Sequence, residues 1–232
     1  MKIVGNGLIG REFRKVAHKY RDVEVTVFAS GVAKSDEKRS EEYDRELDMI
    51  AKEISKGDKI IYFSTCSILQ KSASDYITHK RGMEKVLLES CECLIVRLPQ
   101  VVGKNPNQNT VVEFFYRSLM HGKHFNIYAE AYRSLIDVED VVRIVLTALN
   151  ADINVGTVIN ISSGSQVLAI EIVRWFEENL GVKGSYNIIR SKGEKLAVDL
   201  TLAKSLLGEA DIIFESHYWK NVLKKYYLRD SI

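Results

Sequence analysis

Short apolar runs alternate along the chain with longer segments whose apolar residues recur at helical spacing. This pattern predicts strands near residues 1–4, 23–29, 59–64, 93–98 and 157–161. Helices are predicted near 8–20, 38–56, 74–90, 109–121, 137–150, 167–180 and 215–228. Lys59-Ile60-Ile61-Tyr62-Phe63 and Leu94-Ile95-Val96-Arg97-Leu98 are nearly continuous apolar runs, as expected of strands covered on both faces. With helices between the strands, the sheet should be parallel and sandwiched. Gly57-Asp58 and Gly156 read as stops between helix and strand.

After Pro99 the pattern loosens. Residues 103–109 (Gly-Lys-Asn-Pro-Asn-Gln-Asn) form a turn-rich loop just beyond a strand's C-terminal end, the place where open parallel sheets bind ligands. From Ser162 onward, a Ser/Gly turn, a helix and a weak strand at 185–189 suggest a small lobe over the same edge. The expected division is a core of 1–102 with 135–162, and a lobe of 103–134 with 163–232.

Composition narrows the classes. The 232 residues suit one domain with a smaller lobe, 46% hydrophobic and 28% charged. A net charge of +2, with basic residues scattered, gives no reason to expect nucleic acid as a partner. No apolar run is long enough for a membrane span, and the first strand passes directly into a glycine turn rather than a secretory leader. Cys66, Cys91 and Cys93 lack the spacing of a disulfide framework or metal site, so no metal is expected and a reducing cytoplasm is. The charged tract from Lys34 to Arg45 reads as the solvated start of a helix.

The chemistry-bearing residues begin at Gly5-Asn6-Gly7-Leu8-Ile9-Gly10, between a strand and a helix. Glycines there allow a tight turn and let backbone approach a pyrophosphate lying on the helix N-terminus. Tyr76 and Lys80 stand four apart and share a helix face. A lysine cation beside a phenol favours the phenolate, making Tyr76 a candidate acid/base next to a transferred hydride. With 11 tyrosines, about one such spacing arises by chance, so position has to carry the assignment. Thr65 supplies that position, at the end of a strand, where its hydroxyl can reach the same substrate oxygen; Ser64-Thr65 capping a loop is the plainer alternative, and Ser67 the fallback hydroxyl. His79 reads as structural or solvent-facing, and His121, Lys123 and His124 as surface residues. Trp175, Phe176, Trp219, Tyr226 and Tyr227 read as packing faces.

These motifs together resemble the extended short-chain dehydrogenase/reductases that modify nucleotide sugars. Gly7-Leu8-Ile9-Gly10 is similar to the end of that family's glycine motif, and Phe28-Ala29-Ser30-Gly31-Val32 to its turn beside the cofactor. Ser64-Thr65, Tyr76 and Lys80 match the catalytic Ser/Thr, Tyr and Lys. Leu94 to Pro99, Gly103, Arg133 to Val141 and Asn160 to Gly164 match later signatures.

The resemblance implies an α/β fold, a three-layer Rossmann-like sandwich, with NAD or NADP as cofactor and a nucleotide sugar as substrate. Gly5, Asn6, Gly7, Leu8, Ile9, Gly10, Ala29, Ser30, Gly31, Lys80 and Pro99 would hold the cofactor. Thr65, Asn105 and Arg133 would hold the substrate, with Thr65, Tyr76 and Lys80 catalytic. Dehydratase relatives carry Asp-Glu after the threonine where this chain has Cys66-Ser67, which leaves 4-epimerisation or ketone reduction. The alternative is a non-catalytic descendant that binds a nucleotide or a partner protein. A homodimer through helices 38–56 and 74–90 is implied, with Met49, Ile50, Val86, Leu87 and Leu88 offering apolar surface.

One departure shapes the fold expectation. Only 18 residues separate Gly10 from Ala29, too few for the usual strand–helix–strand of a crossover. The second and third strands of the family's sheet should therefore be missing, leaving about five strands with residues 1–4 at an edge. The residue that reads the adenosine ribose should be missing with them.

Overall fold

A computed structural model describes residues 1–71, 74–104, 110–151, 153, 156–190, 193 and 195–228. In chain order the elements are β1 (Lys2–Val4), α1 (Leu8–Val16), β2 (Val25–Phe28), α2 (Ser40–Ile54), β3 (Lys59–Thr65), α3 (Asp75–Ser90), β4 (Cys93–Leu98) and β5 (Gln100–Val102). There follow α4 (Val111–Met120), β6 (Phe125–Tyr128), β7 (Tyr132–Arg133), β8 (Leu135–Asp137), α5 (Val138–Asn150) and β9 (Thr157–Asn160). The last are β10 (Val167–Leu168), α6 (Ala169–Leu180), β11 (Tyr186–Ile189), α7 (Thr201–Leu206) and α8 (Tyr218–Tyr227).

The main sheet has the order β1-β2-β3-β4-β9 and every pairing in it is parallel. Val25–Phe28 pairs directly with Lys2–Val4, and no strand lies beyond β1 among the described residues. The short Gly10–Ala29 connection is the reason. It leaves room for one helix and a 3-10 turn over Ala17–Tyr20, not for two further strands.

Strand alternation divides the core into two faces. Ile61 and Phe63 of β3, with Leu94, Val96 and Leu98 of β4, pack with Phe13 of α1 and with Val141, Ile144 and Val145 of α5. Ile60 and Tyr62, with Cys93 and Ile95, pack on the other face with Ile50 of α2 and with Met83 and Leu87 of α3. This makes three layers. It also corrects the expected dimer surface, because Ile50 and Leu87 are fully buried against the sheet while Leu47 and Leu88 stay exposed.

A second apolar cluster joins Phe115, Leu119, Phe125 and Ile127 to Trp175, Phe176, Trp219 and Leu223, so the aromatic residues read as packing faces do pack. The weak strand expected at 185–189 is β11, but the sequence pattern missed its partner β6 and the short strands β5, β7, β8 and β10, each only two to four residues long. Helix α8 is tied down by polar contacts. The Tyr218 hydroxyl accepts from the Asp137 backbone N–H at 3.0 Å and donates to Asp140 Oδ2 at 2.6 Å. Tyr226 donates to Asp137 Oδ1 at 2.6 Å. No helix among the described residues is long and apolar enough to cross a membrane.

Candidate functional site

The C-terminal ends of β1, β2, β3 and β4 open into one cleft of about 1470 Å³, larger than the roughly 300–1,000 Å³ typical of a single small-molecule pocket. Asn6, Gly7, Leu8, Ile9, Ala29, Ser30 and Gly31 line one end. Thr65, Tyr76, Lys80 and Pro99 line the middle, and Arg133 the far side. Asn105 lies outside the described residues.

The glycine turn divides its work. Gly5 has φ of +108°, and a Cβ on it would meet the Ala29 carbonyl oxygen at 2.2 Å. A Cβ on Gly10 would meet the Gly5 oxygen at 2.4 Å. These two hold the turn against β2 and do not line the cleft, so their part in any cofactor site is structural. Arg14 of α1 donates to the Gly5 oxygen at 2.7 Å and braces the turn further.

Gly7 differs. A Cβ there has nothing nearer than the Ala29 oxygen at 4.0 Å, and Gly7 faces the cleft at the N-cap of α1, which no side chain caps. Unclaimed backbone N–H groups beside open space suit a pyrophosphate. Among the described residues no strand lies beyond β1, so the adenosine half of a dinucleotide would find none on that side to read its ribose.

Thr65 ends β3, and its Oγ1 accepts from the Ser67 N–H at 3.1 Å, so it caps the following turn while also facing the cleft. Burial pushes the Tyr76 phenol up to about 12. A hydrogen bond with Thr65 acts the other way, and the negative charge of Glu46 adds to the rise. The spacing with Lys80 leads to the opposite expectation, a lowered phenol, and the structure gives the reason for the difference.

Lys80 is 2% exposed, and its Nζ donates to Glu46 Oε1 at 2.9 Å and to the Tyr62 hydroxyl at 3.0 Å. It lies 5.9 Å from the centroid of the Tyr76 ring. Glu46, fully buried on α2, also accepts from the Tyr62 hydroxyl at 2.6 Å and from the Val32 N–H at 2.6 Å. His79 Nε2 sits 3.0 Å from its other oxygen, and the His79 ring packs tilted against Tyr43 at 4.7 Å. Burial alone would raise the Glu46 carboxyl. The His79 hydrogen bond, the Lys80 cation, Tyr62 and the Val32 N–H together hold it at about 2. A Cβ on Gly31 would come within 2.7 Å of both Glu46 Oε1 and Lys80 Nζ, so Gly31 is small because this pair fills the space.

The sequence reading missed Glu46, Tyr62 and His79 as a group. One signal was present: Glu46 stands four before Ile50 and seven before Glu53, on the stripe of α2 that faces the sheet. It directly follows the charged tract from Lys34 to Arg45, which reads as solvated.

Arg133 of β7 is half-buried and donates to the Tyr132 carbonyl at 2.7 Å. Burial lowers its pKa, and no carboxylate among the described residues pairs with it. Ser64 Oγ lines the cleft, buried and without a partner among the described residues. Cys66, which follows Thr65, is buried with its thiol pushed up to about 12, so it offers no acid or base at neutral pH. No cluster of potential metal ligands occurs among the described residues.

These features define a Rossmann-like protein with its cleft at the C-terminal edge of the sheet. Residues 51–162 match the NAD dependent epimerase/dehydratase family, so the resemblance read from the motifs holds over that stretch. Among solved structures, MoeE5 in complex with UDP-glucose and NAD superposes with a TM-score of 0.74 at 17% identity, covering 89% of this chain and 91% of that one. A mutant UDP-glucuronic acid 4-epimerase from Bacillus cereus, in complex with a fluorinated UDP-glucuronic acid and NAD, gives 0.68 at 16% identity, with 90% and 78% covered. RMD from Pseudomonas aeruginosa complexed with NADPH gives 0.64 at 15% identity, with 87% and 80% covered. At these identities the likeness is one of fold. No curated protein matches the chain in sequence.

Proposed function

We propose that the chain is a nicotinamide-dependent oxidoreductase acting on a nucleotide-activated sugar, as a 4-epimerase or keto-sugar reductase, with NAD or NADP as cofactor. One observation carries the reading: a single cleft brings the Gly7 turn, the Thr65–Tyr76–Lys80 group and Arg133 to one surface. Its volume suits two ligands side by side. The fold-related structures hold NAD or NADPH, and several hold nucleotide sugars.

In this reading the N–H groups around Gly7 and the start of α1 hold the pyrophosphate, and residues 29–31 and Pro99 border the nicotinamide half. The nicotinamide supplies or accepts the hydride. Thr65 orients the reacting oxygen by hydrogen bonding, and Tyr76 moves the proton at that oxygen. Arg133 pairs with the sugar's diphosphate, which explains a half-buried guanidinium with no carboxylate partner among the described residues. A cytoplasmic location goes with such substrates. We place a homodimer contact on the exposed apolar residues left on α2 and α3, Leu47 and Leu88. A monomer in sedimentation at micromolar concentration would exclude it.

The test is a thermal-shift screen with NAD, NADP, UDP-glucose and UDP-glucuronic acid. Stabilisation by a dinucleotide, increased by a nucleotide sugar, is the expected result. Stabilisation by a nucleotide sugar alone would favour the non-catalytic descendant, for which the missing strands of the adenosine side are the motive. Stabilisation by none removes the reading.

A further inference from the structure

The Lys80 ammonium is spoken for. Its two hydrogen-bond partners are Glu46 and Tyr62, reached from α2 and β3, and Nζ also lies over the Tyr76 ring, 5.9 Å from its centroid. The carboxylate that holds it is anchored on four sides, by Lys80, Tyr62, His79 and the Val32 N–H. The Val32 bond and the tight fit of Gly31 tie this carboxylate to the loop after β2 that borders the cleft.

From this geometry we infer that Glu46 is a positioning residue that fixes Lys80 and offsets its charge at Tyr76, so that Tyr76 stays a protonated donor to the substrate oxygen. The inference rests on the proposed function and narrows it to ketone reduction. The phenol O–H bond breaks, a new O–H bond forms on the substrate oxygen, and solvent reprotonates the phenolate. The hydride at carbon comes from the reduced dinucleotide of the proposed reaction. Epimerisation would begin instead with proton removal from a hydroxyl, which needs a base at that position.

The charged and titratable groups around the two side chains are few. Lys80 is faced by Glu46 and Arg45 from α2, by Tyr62 from β3, and by Tyr76, His79 and Glu84 on its own helix. Arg45 is turned to Glu42 and to the Ser30 carbonyl. Tyr76 is faced by Thr65, Glu46 and Tyr43, and by Lys80 over its ring. Within this set Lys80 is the group that can stabilise a Tyr76 phenolate, once Glu46 no longer offsets its charge.

Tyr76 titration in the ligand-free protein tests the inference. Biosynthetic 3-fluorotyrosine, whose fluorine lowers every phenol's midpoint, is followed by fluorine NMR, with the Tyr76 signal assigned from Tyr76→Phe. Glu46→Gln leaves the Lys80 charge unopposed, and the Tyr76 midpoint should fall by about one unit or more. The double variant Glu46→Gln/Lys80→Met removes a pair that is neutral overall, and the midpoint should return to the wild-type value. This double variant leaves no unpaired buried charge, so it decides alone if the single variant does not fold. An unchanged midpoint in Glu46→Gln overturns the inference. So does a midpoint in the double variant about one unit above wild type, which would mean that the Lys80 cation already outweighs Glu46 at Tyr76. A failed dinucleotide screen would remove the proposed function without moving these midpoints, so the two failures are distinguishable.

Discussion

Glu46 Oε1 and Lys80 Nζ stand 2.9 Å apart, and both side chains are essentially shut off from solvent. An ion pair in this setting contributes little net stability against an apolar replacement, yet breaking it leaves an unpaired buried charge. Glu46→Gln is therefore expected to cost about 3–5 kcal/mol in urea denaturation at neutral pH, and Glu46→Gln/Lys80→Met markedly less. Equal losses in both variants would show that the pair is not a unit.

The same pair sets an acid limit. The Glu46 carboxyl falls from its ordinary 4.5 to about 2 on folding. A depressed carboxyl stabilises the folded state above its unfolded value, and that stability drains away as pH falls through the folded value. Wild-type stability should thus decline by about 3 kcal/mol between pH 4.5 and 2 on this account. The double variant should show a shallower decline over that window when unfolding is followed by circular dichroism.

Gly7 and Gly10 should part company on mutation. Gly10→Ala drives a Cβ onto the Gly5 oxygen and is expected to lower stability by about 1–3 kcal/mol. Gly7→Ala meets only open space, so its melting temperature should hold while dinucleotide affinity drops, because the methyl group enters the cleft. Normal dinucleotide affinity in Gly7→Ala would move the pyrophosphate elsewhere.

Tyr76→Phe removes the phenolic oxygen and nothing else. Turnover is expected to fall by about 10²–10⁴-fold, with fold and dinucleotide affinity retained. Full turnover in this variant, once a substrate is in hand, would falsify the assignment of the proton donor.

Arg133→Ala should act on binding. A phosphate contact remote from the reacting carbon serves ground and transition states alike, so KM should rise by about 10–100-fold with kcat nearly unchanged. A loss confined to kcat would put Arg133 at the reacting centre instead.

The sheet was legible in the sequence. Apolar runs such as Ile60 to Phe63 can be satisfied only between two helical layers. The 18-residue gap between Gly10 and Ala29 forbids two strands and a crossover, whatever surrounds it. The glycine turn was legible for a similar local reason, since Gly5 must adopt a positive φ and no longer side chain fits against Ala29. The two- to four-residue strands β5 to β8 and β10 left no periodic signal, because so few residues define no period, and β11 read only as a weak strand.

The state of the Tyr76–Lys80 pair was decided by tertiary structure. Spacing on α3 puts the two on one face, and that alone implies a lysine acting on a tyrosine. Packing of α2 beside α3, on the sheet face that carries Tyr62 of β3, brings in Glu46, 34 residues earlier in the chain, and gives the ammonium a carboxylate partner. Hydrophobic periodicity is local and reports which face of a helix is buried. The choice of partner for a buried charge depends on which elements meet across the core, and only the folded chain determines that.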